Sequence, residues 1–300
     1  MENHLHLKGN FETSASKRHA AKISTLVSVA VNIVLSAAQI FSGFLCSSQA
    51  LIADGIHSLS DLFSDFVVLI ANHHGSKAAD DNHHYGHQRF ENAASLFLGV
   101  SLSVVGAGIL WNACHKIMFP VASQTIQIEA LWVALFTLLA KEILFRYMLA
   151  VAKKVKSSML VANAWHARSD AASSLVVAVG IIGALMGYRI LDVVGALIVG
   201  LIIAKTGWDF TWEALHDLMD HAVSEEKNQK IIEIVKNTSG VIDCHDLRTR
   251  KMGDMIAMDI HIEVKGDITV RESHDIVSDI KKRLMAEMPV LDVMIHIDPV

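Results

Sequence analysis

Two stretches of the chain each place a histidine four residues ahead of an aspartate in apolar surroundings. These are His57 and Asp61 in ALIADGIHSLSDLFSDF, and His166 and Asp170 in NAWHARSDAASS. A four-residue step on a helix brings two side chains to one face. Asp54 and Asp65 extend the first of these faces, at steps of three and four. Two imidazoles and two carboxylates supply the four nitrogen and oxygen ligands of tetrahedral Zn²⁺, at about 2.0 to 2.2 Å. A single HxxxD pair also arises when histidine and aspartate simply bond across a helical turn. The recurrence of the pair therefore carries the metal reading.

Two further groups have metal-ligand chemistry. HHGSKAADDNHHYGHQRFE contains Asp80, His83 and His87, a DxxHxxxH array able to hold a second metal, with His73, His74 and His84 as competing ligands. Toward the C-terminus, His245, His261, His274, His296 and Asp298 fall on several elements. Four histidines and an aspartate suit one or two bound metals, and they equally suit a set of exposed surface histidines. His296 and Asp298 are two apart on a strand, so their side chains leave on the same side. Cys46, Cys114 and Cys244 have no CxxC partner, which removes a disulfide framework or thiolate zinc finger. Each reads as a small buried hydrophobe.

The elements that must position these residues are membrane helices. Of 300 residues, 52% are hydrophobic and only three are proline. Crossing a ~30 Å hydrocarbon core takes about 20 mostly apolar residues. Six stretches meet that need, near 23–45, 50–72, 92–118, 127–150, 158–185 and 190–212. The two HxxxD pairs thus lie in the second and fifth spans. Ionisable groups at membrane depth cost a few kcal/mol, face the protein interior and mark a pathway or site. Ser28, Asn32, Ser36, Gln39 and Gly43 in the first span, and Asn92, Ser95, Gly99 and Ser103 in the third, line a path or serve close helix packing equally well. Lys141, Glu142 and Arg146 in the fourth span read as internally paired or snorkelling, with no transport role.

Beyond residue 213 the charge density becomes that of a soluble segment. A helix is expected near 224–238, strands near 241–250 and 255–264, a helix near 270–286 and a strand near 291–297. In MIAMDIHIEV, Ile256, Met258, Ile260, Ile262 and Val264 alternate with Ala257, Asp259, His261 and Glu263. This order predicts a small α+β sandwich with helices on one sheet face. The expected divisions are an N-terminal segment 1–22, a transmembrane domain 23–212 and a C-terminal domain 213–300.

Lys17, Arg18, Lys22, Lys77, Arg89, Lys153, Lys154 and Lys156 flank one side of the spans, against chiefly Lys116 and Arg189 on the other. The positive-inside rule then puts both termini in the cytoplasm of a multi-pass cell (inner) membrane protein. The polar start MENHLHLKGN lacks the layout of a cleaved signal, so the first span is expected to remain. The formal net charge of −5, without a basic tract, gives no reason to expect nucleic acid.

With these motifs together, the chain resembles the cation diffusion facilitator family along nearly its whole length. ADGIHSLSD and HARSD match the family's paired metal motifs, and DDNHHYGHQRFE is similar to its loop motif. HDLRTRKMG, the His261 strand, RESHDI and IHIDP resemble its cytoplasmic binuclear site. The resemblance implies a membrane all-α domain of six transmembrane helices plus a cytoplasmic α+β, ferredoxin-like (αββαβ) domain that forms a homodimer. It implies a transport site at His57, Asp61, His166 and Asp170, a loop site at Asp80, His83 and His87, and cytoplasmic ligands at His245, His261, His274, His296 and Asp298. It further implies an Arg89–Asp220 pair that holds the two halves of the dimer. Two histidines and two aspartates look like the zinc and cadmium branch, with Fe²⁺, Co²⁺ or Mn²⁺ also open as cargo.

The activity expected is export of Zn²⁺ from the cytoplasm across the lipid bilayer in exchange for protons. Metal binds neutral imidazole and ionised carboxylate, so its entry releases protons. Histidine, with a reference pKa of ~6.5, suits that exchange. An intramembrane metallohydrolase needs an open coordination position and a nearby base. Four protein ligands close the sphere and no HExxH is present, so an enzyme is not expected. A membrane-embedded metal sensor without transport is the other rival, opposed only by the pathway-like placement of charges.

Overall fold

The computed structural model describes residues 2–119, 126–154 and 158–300, with the side chains of 2–22, 158–160, 162 and 163 left aside. Of the residues used for the orientation argument, Lys156 and the side chains of Lys17, Arg18 and Lys22 lie outside this description. Six long helices come first: α1 (Glu2–Leu45), α2 (Gln49–Gly75), α3 (Arg89–Met118), α4 (Ile128–Lys154), α5 (Ser158–Leu185) and α6 (Ile190–Leu218). The segments Ile23–Leu45, Arg89–Met118, Ala164–Leu185 and Ile190–Leu218 are long and apolar enough to cross a membrane on composition alone. The 27-residue helices α2 and α4 are long enough too. Their apolar runs are interrupted by Asp54, Asp61 and Asp65 on α2, and by Lys141, Glu142 and Arg146 on α4. Phe41, Phe44, Val104, Trp111, Trp132 and Phe136 stand exposed on the helices, a surface that suits hydrocarbon and not water.

Two compact units make up the chain, Met1–Asp65 with Ser101–Gly207, and Phe66–Val100 with Trp208–Val300. In the first, small residues set the packing. Its core includes Ala50, Ala53, Ala130, Ala134, Ala178 and Ala196, with Leu51, Ile181 and Ile203 between them. A Cβ on Gly43 would stand 2.6 Å from the Ile52 side chain, and one on Gly106 would stand 2.6 Å from the Ala204 backbone. Glycine is what lets α1 reach α2, and α3 reach α6, at these crossings. Asp192 of α6 caps α2: its carboxylate accepts from Ser48 Oγ at 2.6 Å, Gln49 N–H at 2.7 Å and Ala50 N–H at 3.4 Å. The orphan donors of a buried helix start are thereby satisfied.

The second unit holds the ends of α2, α3 and α6 together with α7 (Glu225–Lys236), β1 (Asp243–Met252), β2 (Met255–Val264), α8 (Val270–Glu287) and β3 (Val290–Pro299). The sheet order is β1-β2-β3, with β1 and β2 antiparallel and β2 and β3 parallel. Parallel pairing needs a crossover, and α8 supplies it. Ile256, Met258, Ile260, Ile262 and Val264 of β2 bury against Ile231, Ile234 and Val235 of α7 and Ile280 and Leu284 of α8. Fully burying one such side chain is worth ~1.5–3 kcal/mol. Thr269 and Glu272 form a capping box that starts α8. Both helices therefore lie on one sheet face, and the αββαβ order expected from the alternating pattern is the one observed.

The β1–β2 turn is fastened to helix ends inside this unit. Gly253 N–H donates to Asn92 Oδ1 at 3.0 Å, and Asn92 Nδ2 donates to Asp217 Oδ2 at 3.3 Å. Lys251 Nζ lies 3.4 Å from Asp217 Oδ1 and 3.7 Å from Glu213 Oε1. Gly253 has φ of 60°, and a Cβ there would press on Glu91 Oε2 and stand 3.0 Å from the Gln88 carbonyl oxygen. Glycine meets both demands without strain.

Candidate metal centres

In the helical unit, α2 and α5 bring His57, Asp61 and Asp170 together, each offering a ligand atom within 4.8 Å of the others. His57 is buried at 9% exposure, and Asp61 and Asp170 are half-buried. His57 Nδ1 lies 3.6 Å from Asp61 Oδ2 and has no hydrogen-bond partner. A buried ring nitrogen that faces a carboxylate without a bond of its own fits a metal ligand. His166 is exposed and does not join the group. The four-residue step fixes the helical face it shares with Asp170 but not the direction of its side chain. Asp65, the last carboxylate of the α2 face, is exposed.

Of the two expectations for Lys141, the structure shows internal pairing. It does not snorkel but lies 2% exposed, with Nζ 3.5 Å from Asp54 Oδ2 and 2.8 Å from Ser174 Oγ. The reason is electrostatic, because a fully buried Asp54 requires a counter-charge and α4 supplies it. Glu142 and Arg146 do pair with each other, at 2.8 Å.

Between α2 and α3, Asp80, His83 and His87 form a second group within 4.8 Å. Asp80 Oδ1 accepts the N–H groups of His83 at 2.7 Å and Asn82 at 2.9 Å, a turn that aspartate makes readily. These backbone donors, His83 first, hold the Asp80 carboxyl below its usual range. His87 Nδ1 faces the Ala78 carbonyl at 3.2 Å, while its Nε2 faces Asp80 Oδ2 at 3.4 Å. An imidazole whose Nδ1 proton goes to a carbonyl presents Nε2 as the ligand. His73 and His74 belong to the last turn of α2, and His74 Nδ1 is taken by the Ile70 carbonyl at 3.0 Å. Neither they nor His84 join the group. Arg89 pairs with Asp220 of its own chain, and its Nη1 donates to the Leu218 carbonyl at 3.1 Å. The pair expected from the resemblance thus forms within one chain.

On the open face of the sheet, register does the positioning. His261 is paired with His245 on β1 and with His296 on β3, so three imidazoles stand side by side. Their ring centroids are 5.3 and 4.6 Å apart. Asp298 lies beside all three: 3.1 Å from His261 Nδ1, 3.5 Å from His245 Nε2 and 3.4 Å from His296 Nε2. Two overlapping ligand groups result, His261, His296 and Asp298, and His245, Asp246 and His261. Asp246 was not expected. It sits in the irregularity between His245 and Arg248 with φ of 49°, which turns its side chain toward the histidines. Glu263, 3.7 Å from His245 Nδ1, is the other missed neighbour. His274 is exposed on α8, a helix packed on the sheet face opposite His261, and it joins neither group.

Residues 25–219 match the family model for the cation efflux transmembrane domain, and residues 223–300 match that for the cation efflux protein cytoplasmic domain. The chain belongs to the cation diffusion facilitator family. It is similar to the manganese efflux system protein MneS of Bacillus subtilis, at 35% identity over 91% of this chain and 94% of that protein. It is similar also to metal tolerance protein C1 of Arabidopsis thaliana, at 33% identity over 89% of this chain and 60% of that one. The magnetosome protein MamB of Magnetospira sp. is 31% identical over 86% of this chain and 88% of that protein. This cation diffusion facilitator is accordingly a multi-pass membrane protein and a divalent metal cation efflux transporter.

Proposed function

We propose that this transporter exports a divalent transition metal, Zn²⁺ foremost, from the cytoplasm in exchange for protons. The observation that carries the reading is the group made by His57, Asp61 and Asp170 on two membrane helices, with the His57 ring nitrogen buried and unbonded. His166, one turn before Asp170, completes the set when its side chain swings inward. Imidazole with carboxylate suits Zn²⁺ and Cd²⁺, and also Fe²⁺ and Co²⁺. Protons returning from outside restore protonated ligands and release the cargo.

Mn²⁺ is the second reading. The three gathered ligands offer one nitrogen and two carboxylates, a balance that favours a harder ion than two histidines would. MneS, a manganese efflux protein, supports the same choice. On this proposal residues 23–212 carry transport, both termini are cytoplasmic, and residues 213–300 form the dimerising, metal-responsive part. The histidine row with Asp298 then favours one conformation by binding metal better in it.

The test is flux of Zn²⁺, Cd²⁺, Fe²⁺, Co²⁺ and Mn²⁺ into liposomes holding the purified protein, with and without a proton gradient. Zn²⁺ flux that rises with an opposing proton gradient is expected. Flux that ignores the gradient removes proton exchange, and flux confined to Mn²⁺ replaces zinc.

A further inference from the structure

We infer that Lys141 determines metal selectivity by holding Asp54 away from the cargo. This rests on the reading of His57, Asp61, His166 and Asp170 as the transport site. Asp54 precedes His57 by three residues and Asp61 by seven, so it belongs to the ligand face of α2. It is a third carboxylate on that face and is 0% exposed. Left to itself, a buried carboxylate beside a divalent cation would coordinate it.

Instead, each oxygen of Asp54 is occupied. Oδ1 accepts from Ser173 Oγ at 3.0 Å. Oδ2 accepts from Ser174 Oγ at 2.6 Å and from Gln39 Nε2, and it faces Lys141 Nζ at 3.5 Å. Donors thus arrive from α1, α4 and α5. Lys141 organises the set: its ammonium donates to Ser174 Oγ at 2.8 Å, which directs that hydroxyl's single proton to Asp54. The same ammonium lies 3.4 Å from the Asp170 carbonyl, and Ser173 Oγ lies 2.8 Å from it. The network therefore joins Asp54 to the turn that carries a proposed ligand.

The charge balance gives this arrangement its consequence. Asp54 and Lys141 cancel, leaving Asp61 and Asp170 to match the two charges of one divalent ion. Without the ammonium, the cargo is the one remaining cation that the Asp54 carboxylate could face, and a bound metal would draw it in as a ligand. The site then becomes richer in oxygen, which favours Mn²⁺ over Zn²⁺.

The experiment measures the ratio of Mn²⁺ to Zn²⁺ flux in liposomes for the full chain and four variants. Lys141→Met is expected to raise the ratio by roughly tenfold or more, the scale on which residues behind the ligands act. Lys141→Met with Asp54→Asn removes both charges and is expected to return the ratio to the wild-type value, a reversal that simple structural damage would not produce. Asp54→Asn alone leaves the ammonium uncompensated and should depress both fluxes with the ratio unchanged. Ser174→Ala loosens the network and should move the ratio in the direction of Lys141→Met, by less. An unchanged ratio in Lys141→Met, or a raised one that persists in the double variant, overturns the inference. If Lys141→Met is not recovered as a monodisperse protein, Ser174→Ala decides, and an unchanged ratio there is equally fatal. Wild-type protein that carries neither ion would instead bring down the transport reading, and this inference with it.

Discussion

In the helical unit, His57 and Asp54 lie in the protein interior, and the carboxylate beside the ligand group is bonded to side chains from three other helices. Across the sheet, His245, His261 and His296 stand on an accessible face and share one carboxylate, Asp298. Burial makes the difference. An interior cluster has to balance its charges within the protein, because stranding one costs several kcal/mol. A cluster on an open face exchanges water for metal and can be filled or vacant without disturbing the fold. The helical cluster is therefore expected to be the less tolerant of substitution, and the sheet cluster to suit a graded response.

The largest effect expected from this contrast is at Asp170. Asp170→Ala should cut Zn²⁺ flux in liposomes by about 100-fold or more, the top of the range for residues that merely support ligands. Flux within tenfold of wild type would erase the distinction between the clusters. His261→Ala should weaken zinc binding by the full-length protein about tenfold in calorimetry while flux at saturating zinc stays within a few-fold. A loss as deep as that of Asp170→Ala would place both clusters on the transport path.

The loop sharpens the comparison through pH. Asp80 has a lowered pKa, so its contribution to loop order is complete above the ordinary carboxylate range and is lost only as pH falls through the lowered value. Amide exchange at Asn82 and His83, corrected for intrinsic rates, should stay constant from about pH 7 to about pH 5 and accelerate below about pH 4. Protection lost already near pH 6 would assign the turn to its histidines. The smallest effect is expected at His274, where His274→Ala should leave zinc binding unchanged. A clear loss would mean that α8 of a second chain reaches the sheet's open face.

Much of this was legible beforehand because it depends on local periodicity. Runs of about 20 apolar residues mark the spans, and the alternation from Ile256 to Val264 marks a strand with His261 on its polar side. What escaped depends on contacts distant in sequence. Internal pairing and snorkelling stayed equally open for Lys141 because Asp54 and Ser174, 33 residues away in the latter case, become its neighbours only after the helices pack. Asp246 escaped because alternation through a regular strand gives no sign of the irregularity after His245. His274 entered as one more histidine on a neighbouring element, and packing puts a sheet between its helix and His261. The HxxxD spacing put His166 on the right helical face without fixing where its ring points.

The fastened turn of the β1–β2 hairpin has a mechanical consequence. His245 and Lys251 are six residues apart on one strand, about 20 Å at the usual rise. One end of the hairpin carries the histidine row, and the other is held by Asn92 of α3 and Asp217 of α6. The hairpin is thus a lever anchored at its tip. The two paired strands give the histidine row a continuous bonded route to the ends of α3 and α6, interrupted at the irregularity after His245. How stiff the strand is at Asp246 sets how much of any displacement among the imidazoles arrives.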